Sequence, residues 1–88
     1  MAEIVLYTTQ SCPYCVAAKR FLKEAKKVPF REVDLSSDNA GRMALVAKTG
    51  LRTVPQIFVG ETHIGGYDDM RALDAKGGLD PLLAQILG

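Results

Sequence analysis

Eighty-eight residues, 48% hydrophobic and 24% charged, make one domain with one small core, since domains commonly run about 100–150 residues. Eight glycines and four prolines are too few for a disordered or collagen-like chain, and a net charge of +1 lacks the basic footprint of a nucleic-acid binder. Two cysteines cannot build the dense disulfide framework of a small secreted scaffold, and one histidine beside them cannot complete a four-ligand zinc site within the chain.

The chain opens Met1-Ala2-Glu3-Ile4-Val5-Leu6-Tyr7. No basic segment precedes its short apolar run, which falls well below the length of a signal-peptide core or a membrane span, so the expectation is a cytoplasmic protein without a membrane partner. In a reducing compartment thiols stay free, and a lone cysteine pair there is reactive or metal-binding more often than a structural staple. Residues 3–8 carry the β-branched and aromatic content of a strand. Ser11-Cys12-Pro13 then reads as a helix entry with proline at the first helical position. From there Ala17, Ala18, Phe21, Leu22 and Ala25 recur at helical spacing, which predicts a helix to about Lys27.

Residues 30–35 alternate as a second strand, and Ser37 is positioned to cap a helix whose apolar residues Met43, Ala44, Val46 and Ala47 stop before Gly50. Residues 56–59 and 62–64 read as two strands of a hairpin turning at Gly60-Glu61. Asp68 or Asp69 opens a third helix that Gly77-Gly78 closes, and Asp80-Pro81 opens a last one through Leu87. The order β-α-β-α-β-β-α-α predicts a single α/β domain over residues 1–88, a four-stranded mixed sheet with helices on its faces. Charge is segregated along it: residues 16–27 hold five basic side chains against one acidic, and residues 61–88 hold two against five. Such a basic helix is either a solvated face or a field that favours anions near its start.

Cys12-Pro13-Tyr14-Cys15 lies between a strand and a helix, where a C-x-x-C reads as a redox pair in a βαβ setting. The spacing lets both sulfurs share one helical turn. Cys12 at the helix entry faces unsatisfied backbone N–H groups and the positive end of the helix dipole, both of which favour the thiolate that attacks disulfides. Cys15, one turn further in, is expected to be more buried and less ionised, so Cys12 attacks and Cys15 resolves the mixed disulfide. Tyr14 between them either packs or shields the sulfur. Downstream, Thr53-Val54-Pro55-Gln56 precedes a strand, and a residue before proline is held extended, leaving the Val54 backbone free to pair with a peptide. Gly65-Gly66-Tyr67-Asp68-Asp69 allows close backbone approach at a helix start, where the aspartates serve as caps or as ligands for a cation.

With these segments in this order, the chain resembles the glutaredoxins almost end to end, and most closely their small bacterial dithiol members. The resemblance implies a thioredoxin-like fold and a glutathione-dependent thiol–disulfide oxidoreductase that reduces protein disulfides and glutathione mixed disulfides through a Cys12–Cys15 redox disulfide. It implies a cis Val54–Pro55 bond facing the cysteines and glutathione contacts from Tyr14, Thr53, Val54, Pro55, Gly66, Tyr67 and Asp68, the last meeting the α-ammonium of the γ-glutamyl end. Many glutaredoxins carry a lysine or arginine three residues before the first cysteine; here that residue is Thr9. Arg42 is the candidate to meet the glycyl carboxylate instead, with Arg52 behind it. The resemblance also implies glutathione as co-substrate with no permanently bound cofactor or metal, glutathione reductase and NADPH upstream, and a monomer. Two other readings stand beside it: a carrier of a glutathione-ligated [2Fe–2S] cluster, and a glutaredoxin-like protein reduced by thioredoxin reductase. Pro13 disfavours the first and the Gly-Gly-Tyr-Asp-Asp segment the second. His63 is read as a surface residue of a strand.

Overall fold

Alternation in the first strand sets the layering. In the computed structural model, which describes residues 3–87, strand β1 (Ile4–Thr8) buries Ile4, Leu6 and Thr8 on one side and turns Val5 and Tyr7 to the other. With β2 (Arg31–Asp34), β3 (Gln56–Val59) and β4 (Thr62–Gly65) it forms one four-stranded sheet in the order β2-β1-β3-β4. The sheet is mixed: β2 runs parallel to β1, while β3 is antiparallel to β1 and β4 to β3. On one face Ile4, Leu6, Ile57 and Val59 pack against Ala18 of α1 (Pro13–Arg20), Met70 of α3 (Tyr67–Ala75) and Leu79 and Leu83 of α4 (Leu79–Leu87). On the other face Val5, Tyr7, Val33 and Phe58 pack with Leu35 and with Leu45 of α2 (Asn39–Thr49). The element order and the helix-covered mixed sheet are those the sequence predicts. Cutting a side chain such as Leu6 or Leu22, both fully buried, to alanine costs about 2–5 kcal/mol.

Several boundaries differ from the sequence reading. The first helix is not uniform to Lys27: it is α-helical to Arg20 and continues as a π-helical turn, Phe21–Ala25, marked by the Lys26 N–H donating to the Phe21 carbonyl at 3.1 Å. This wider turn leaves Leu22 in the core and seats the Lys26 ammonium between Asp74 and Asp80, at 2.6 and 2.9 Å. Asp38, not Ser37, caps α2, its Oδ1 accepting from the Gly41 N–H at 2.8 Å; serine and aspartate cap about equally well, so composition alone does not choose between neighbours. Gly50 ends α2 with φ +77°, a conformation that favours glycine. Helix α3 begins at Tyr67, one residue ahead of the expected aspartates, and α4 begins at Leu79, which places Pro81 inside its first turn.

The charge segregation resolves into packing. Lys19 pairs with Glu32 and Arg20 with Glu24, while Lys26 joins the first helix to the acidic C-terminal helices. Much of the basic charge therefore sits toward the carboxyl end of the first helix, where it complements the helix dipole. Lys26 lies about 20 Å along the helix from Cys12 at 1.5 Å per residue, so its charge neutralises the C-terminal acids and not the sulfur.

Strand pairing then assembles one edge. Because β3 is antiparallel to β1, the carboxyl end of β1 meets the start of β3, with Tyr7 opposite Gln56. Strand β4 returns so that Gly65 stands opposite Ile57 at that same end. The Cys12 loop, the segment before Pro55 and the Gly66 turn thus emerge side by side.

Candidate functional site

Cys12 is the N-cap of α1, with extended backbone (φ −120°, ψ 103°), and Pro13 follows at the first helical position. Proline brings no N–H to that position, so the open donors of the first turn begin at Tyr14. The Cys15 N–H donates to Cys12 Sγ at 3.1 Å, so the sulfur does what a capping oxygen does elsewhere. The helix thus turns an N–H of its first turn toward this sulfur. The same sulfur lies 3.6 Å from the Val54 carbonyl, to which its thiol donates, and the residue is half-buried.

Cys15 is 1% exposed. Burial chiefly, reinforced by contact with the Cys12 sulfur, pushes its thiol up to about 12 from an ordinary 9.0, against smaller opposing pulls from the Thr9 backbone and Lys19. Both cysteines are reduced, so the two thiols are distinguished by environment alone. Lys19, one turn beyond Cys15, is itself held by Glu32 at 3.0 Å, and Glu32 also accepts from the buried Thr8 hydroxyl at 2.6 Å. That hydroxyl first, and Lys19 second among the favourable contacts, hold the Glu32 carboxyl below its ordinary 4.5.

Across from the sulfur, the Val54–Pro55 peptide is cis. Pro55 is buried and Val54 half-buried, and among the described residues the Val54 N–H has no partner. An unpaired N–H and a carbonyl on one extended residue form an edge that a peptide can extend. Gln56 holds this segment from below: its side-chain amide, 1% exposed, donates to the carbonyls of Leu51 and Thr53, both at 3.0 Å. Sequence reasoning missed that role; the only signal was a polar residue at the start of an otherwise apolar strand.

The two aspartates separate. Asp69 Oδ2 accepts from the Gly66 N–H at 2.9 Å and so caps α3, whereas the exposed Asp68 makes no hydrogen bond or ion pair among the described residues. Gly65 has φ +114°, and a Cβ built on it would strike the Asp69 carboxylate; glycine there is required by both backbone and space. Tyr14 and Tyr67 face each other with ring centroids 6.3 Å apart, and Tyr67 accepts a 2.7 Å hydrogen bond from Arg71.

These residues line two cavities of about 250 Å³ each, which share Thr53 and Val54 as a common wall. One has Tyr14, Pro55, Gly66, Tyr67, Asp68 and Asp69 around it and is acidic. The other runs toward α2 and has Arg42 and Arg52 at its rim. All the residues proposed from sequence therefore gather at one edge, Arg42 in the second cavity and the others around the first or beside it. His63 differs from expectation: it is half-buried, its ring 4.8 Å from Phe58, with Nε2 enclosed and without a hydrogen-bond partner among the described residues, and it lies outside both cavities. No helix is long and apolar enough to cross a membrane among the described residues.

The family model for glutaredoxin matches residues 4–64. Glutaredoxin 3 of Escherichia coli strain K12 is 49% identical over 83 residues, covering 94% of this chain and 99% of its own. A glutaredoxin of Pseudomonas aeruginosa is 48% identical over 84 residues, covering 96% and 99%. Among solved structures, a buckwheat glutaredoxin–glutathione complex superimposes with a TM-score of 0.86 at 31% identity, covering 97% of this chain and 79% of that one.

Proposed function

The chain belongs to the glutaredoxin family, and from that premise we propose that it is a glutathione-dependent thiol–disulfide oxidoreductase acting through Cys12 and Cys15. Its substrates on this reading are protein disulfides and glutathione mixed disulfides, it works as a cytoplasmic monomer, and glutathione reductase with NADPH regenerates the glutathione it consumes. The observation that carries the reading is the placement of one half-buried, N–H-bonded sulfur beside an open peptide edge, with an acidic cavity on one side and a basic one on the other.

Glutathione is a tripeptide with an ammonium and a carboxylate at the γ-glutamyl end and a second carboxylate at the glycyl end. Its cysteine backbone pairs with Val54, as one strand adds to another, which brings its sulfur toward Cys12. Asp68, free of the capping duty that occupies Asp69, meets the ammonium, while Gly66 and Tyr67 admit the γ-glutamyl chain closely. Arg42 takes the glycyl carboxylate, the task that a basic residue at Thr9 would otherwise perform. Tyr14, Thr53 and Pro55 complete the walls.

Cys12 thiolate attacks the glutathione sulfur of a mixed disulfide; the new Cys12–glutathione bond forms as the old bond breaks, and the substrate cysteine leaves as thiolate and takes a proton. A second glutathione thiolate then attacks the bound glutathione sulfur, releasing oxidised glutathione and Cys12. In the dithiol route Cys12 thiolate attacks one sulfur of a substrate disulfide, whose other sulfur leaves as thiolate and takes a proton; Cys15, after losing its proton, then attacks Cys12, which closes the internal disulfide and frees the reduced substrate. The high thiol value of Cys15 keeps it protonated until the mixed disulfide changes its surroundings. The test is reduction of a glutathione mixed disulfide with either of two electron sources. Turnover requiring glutathione and glutathione reductase is expected; equal turnover with thioredoxin reductase and no glutathione contradicts the reading.

A further inference from the structure

The basic cavity is larger and greasier than a glycyl carboxylate needs. Below Arg42 and Arg52 its wall is Leu35, Leu45 and Val46, and its lip carries Met43 and Leu51, 72% and 42% exposed. Tyr14 and Val16, 59% and 50% exposed, stand on the Cys12 side, so among the described residues the four large hydrophobics exposed to solvent lie on the first turn of α1 and on the lip of this groove. Large apolar groups held in water mark a surface meant to be covered. Neither arginine has a carboxylate within ion-pair distance among the described residues, as is also true of Lys23, Lys27, Lys48, Arg71 and Lys76. The groove therefore joins apolar walls to two uncompensated cations, and it begins at Val54, 3.6 Å from the reactive sulfur.

Glutathione has no apolar side chain to fill such a space. We infer that the groove reads the protein substrate of the dithiol route: an extended peptide segment bearing, next to its disulfide cysteine, an apolar side chain followed by an acidic one. This inference rests on the oxidoreductase reading above. The peptide pairs with Val54 in place of glutathione, its apolar side chain enters between Met43 and Leu51, and its carboxylate faces Arg42 and Arg52. Cys12 thiolate attacks one sulfur of the peptide's intramolecular disulfide; the peptide's other sulfur leaves as thiolate and is protonated. Cys15 then displaces the peptide from Cys12, so the enzyme dithiol loses two electrons and two protons and the peptide disulfide gains them, becoming a dithiol.

Three disulfide-closed peptides differing only beside the cysteine test this, one with Leu-Glu, one with Ser-Glu and one with Leu-Lys, each reduced by the full-length enzyme supplied with glutathione and glutathione reductase. The Leu-Glu peptide is expected to show kcat/KM about tenfold above the other two, the discrimination a single well-filled apolar pocket or charge site provides. Met43→Ser and Leu51→Ser, which shorten the apolar lip without adding charge beside Arg42, are expected to abolish the preference for Leu-Glu over Ser-Glu while leaving reduction of the mixed disulfide of glutathione and mercaptoethanol within twofold. That second substrate also reports that each variant is folded. Equal kcat/KM for the three peptides, or a preference for Leu-Glu over Ser-Glu that survives both substitutions, overturns the groove. Discrimination among peptides by an enzyme that fails on the glutathione mixed disulfide leaves the groove standing and overturns the glutathione reading instead.

Discussion

Replacing Cys12 with serine leaves Cys15 as the only thiol, and replacing Cys15 with serine leaves Cys12; the pair measures how unequal position has made two chemically identical groups. Serine at residue 12 still caps α1, and serine at residue 15 still donates its N–H to the Cys12 sulfur, so neither change disturbs the helix. With its thiol pushed up to about 12 from 9.0, Cys15 is ionised at pH 7 in about one molecule in 100,000, against about one in 100 for an unshifted thiol. The difference is about a thousandfold in the reactive species. Removing Cys12 also removes the contact with its sulfur, the second cause after burial, so burial is left to act against the pulls of the Thr9 backbone and Lys19 and the expected suppression falls to roughly a hundredfold. Alkylation by iodoacetamide at pH 7, followed by mass spectrometry and compared with the same variant in denaturant, reads this directly. Cys15 in the Cys12→Ser protein should alkylate roughly a hundredfold more slowly folded than unfolded, and Cys12 in the Cys15→Ser protein should not be protected. A folded Cys15 reacting within tenfold of its unfolded rate refutes the assignment of attacker and resolver.

The neighbouring aspartates should fail in different ways. Asp68→Ala is expected to raise the apparent KM for glutathione about fivefold with kcat and melting temperature unchanged, as the loss of one exposed ion pair would. Asp69→Ala removes the cap on Gly66, worth about 1 kcal/mol, and should lower Tm by about 4–8 °C; a shared phenotype for the two contradicts the division of labour. Glu32 supplies a pH signature. Its carboxyl is held below 4.5 in the folded chain, by Thr8 first, so its stabilising effect is present above that value and is lost as pH falls through the folded one. Glu32→Gln should therefore flatten the acid limb of a stability–pH curve below about pH 5, and an acid limb identical to that of the parent protein rejects the Thr8–Glu32–Lys19 network as its source.

Much of the site was legible because its chemistry depends on spacing within short segments. Cys12-Pro13-Tyr14-Cys15 declares its helix entry through proline, and the extended state of Val54 follows from the ring of Pro55, so both can be read without tertiary information. The two sheet-lining faces of β1 are likewise written in its alternation. What escaped depends on groups far apart in the chain. The choice of Asp38 over Ser37 as cap, and of Asp69 over Asp68, turns on which carboxylate reaches which N–H. The tether from Gln56 to Leu51 and Thr53, and the enclosure of His63 against Phe58, exist only once the sheet has formed. The basic first helix is the clearest case: its local composition allowed either a solvated face or an electrostatic aid to the thiolate, and Asp74 and Asp80, some fifty residues further on, claim Lys26 for packing.

The central claim is that Cys12 alone receives glutathione from a substrate and that Cys15 is needed only to close the dithiol route. The direct measurement is to mix the Cys15→Ser protein with a glutathionylated peptide, without free glutathione, and to map the adduct by intact and peptide mass. Transfer of one glutathione to Cys12 with stoichiometric release of the reduced peptide is the result expected. A Cys12 that stays unmodified while the peptide keeps its glutathione contradicts the account.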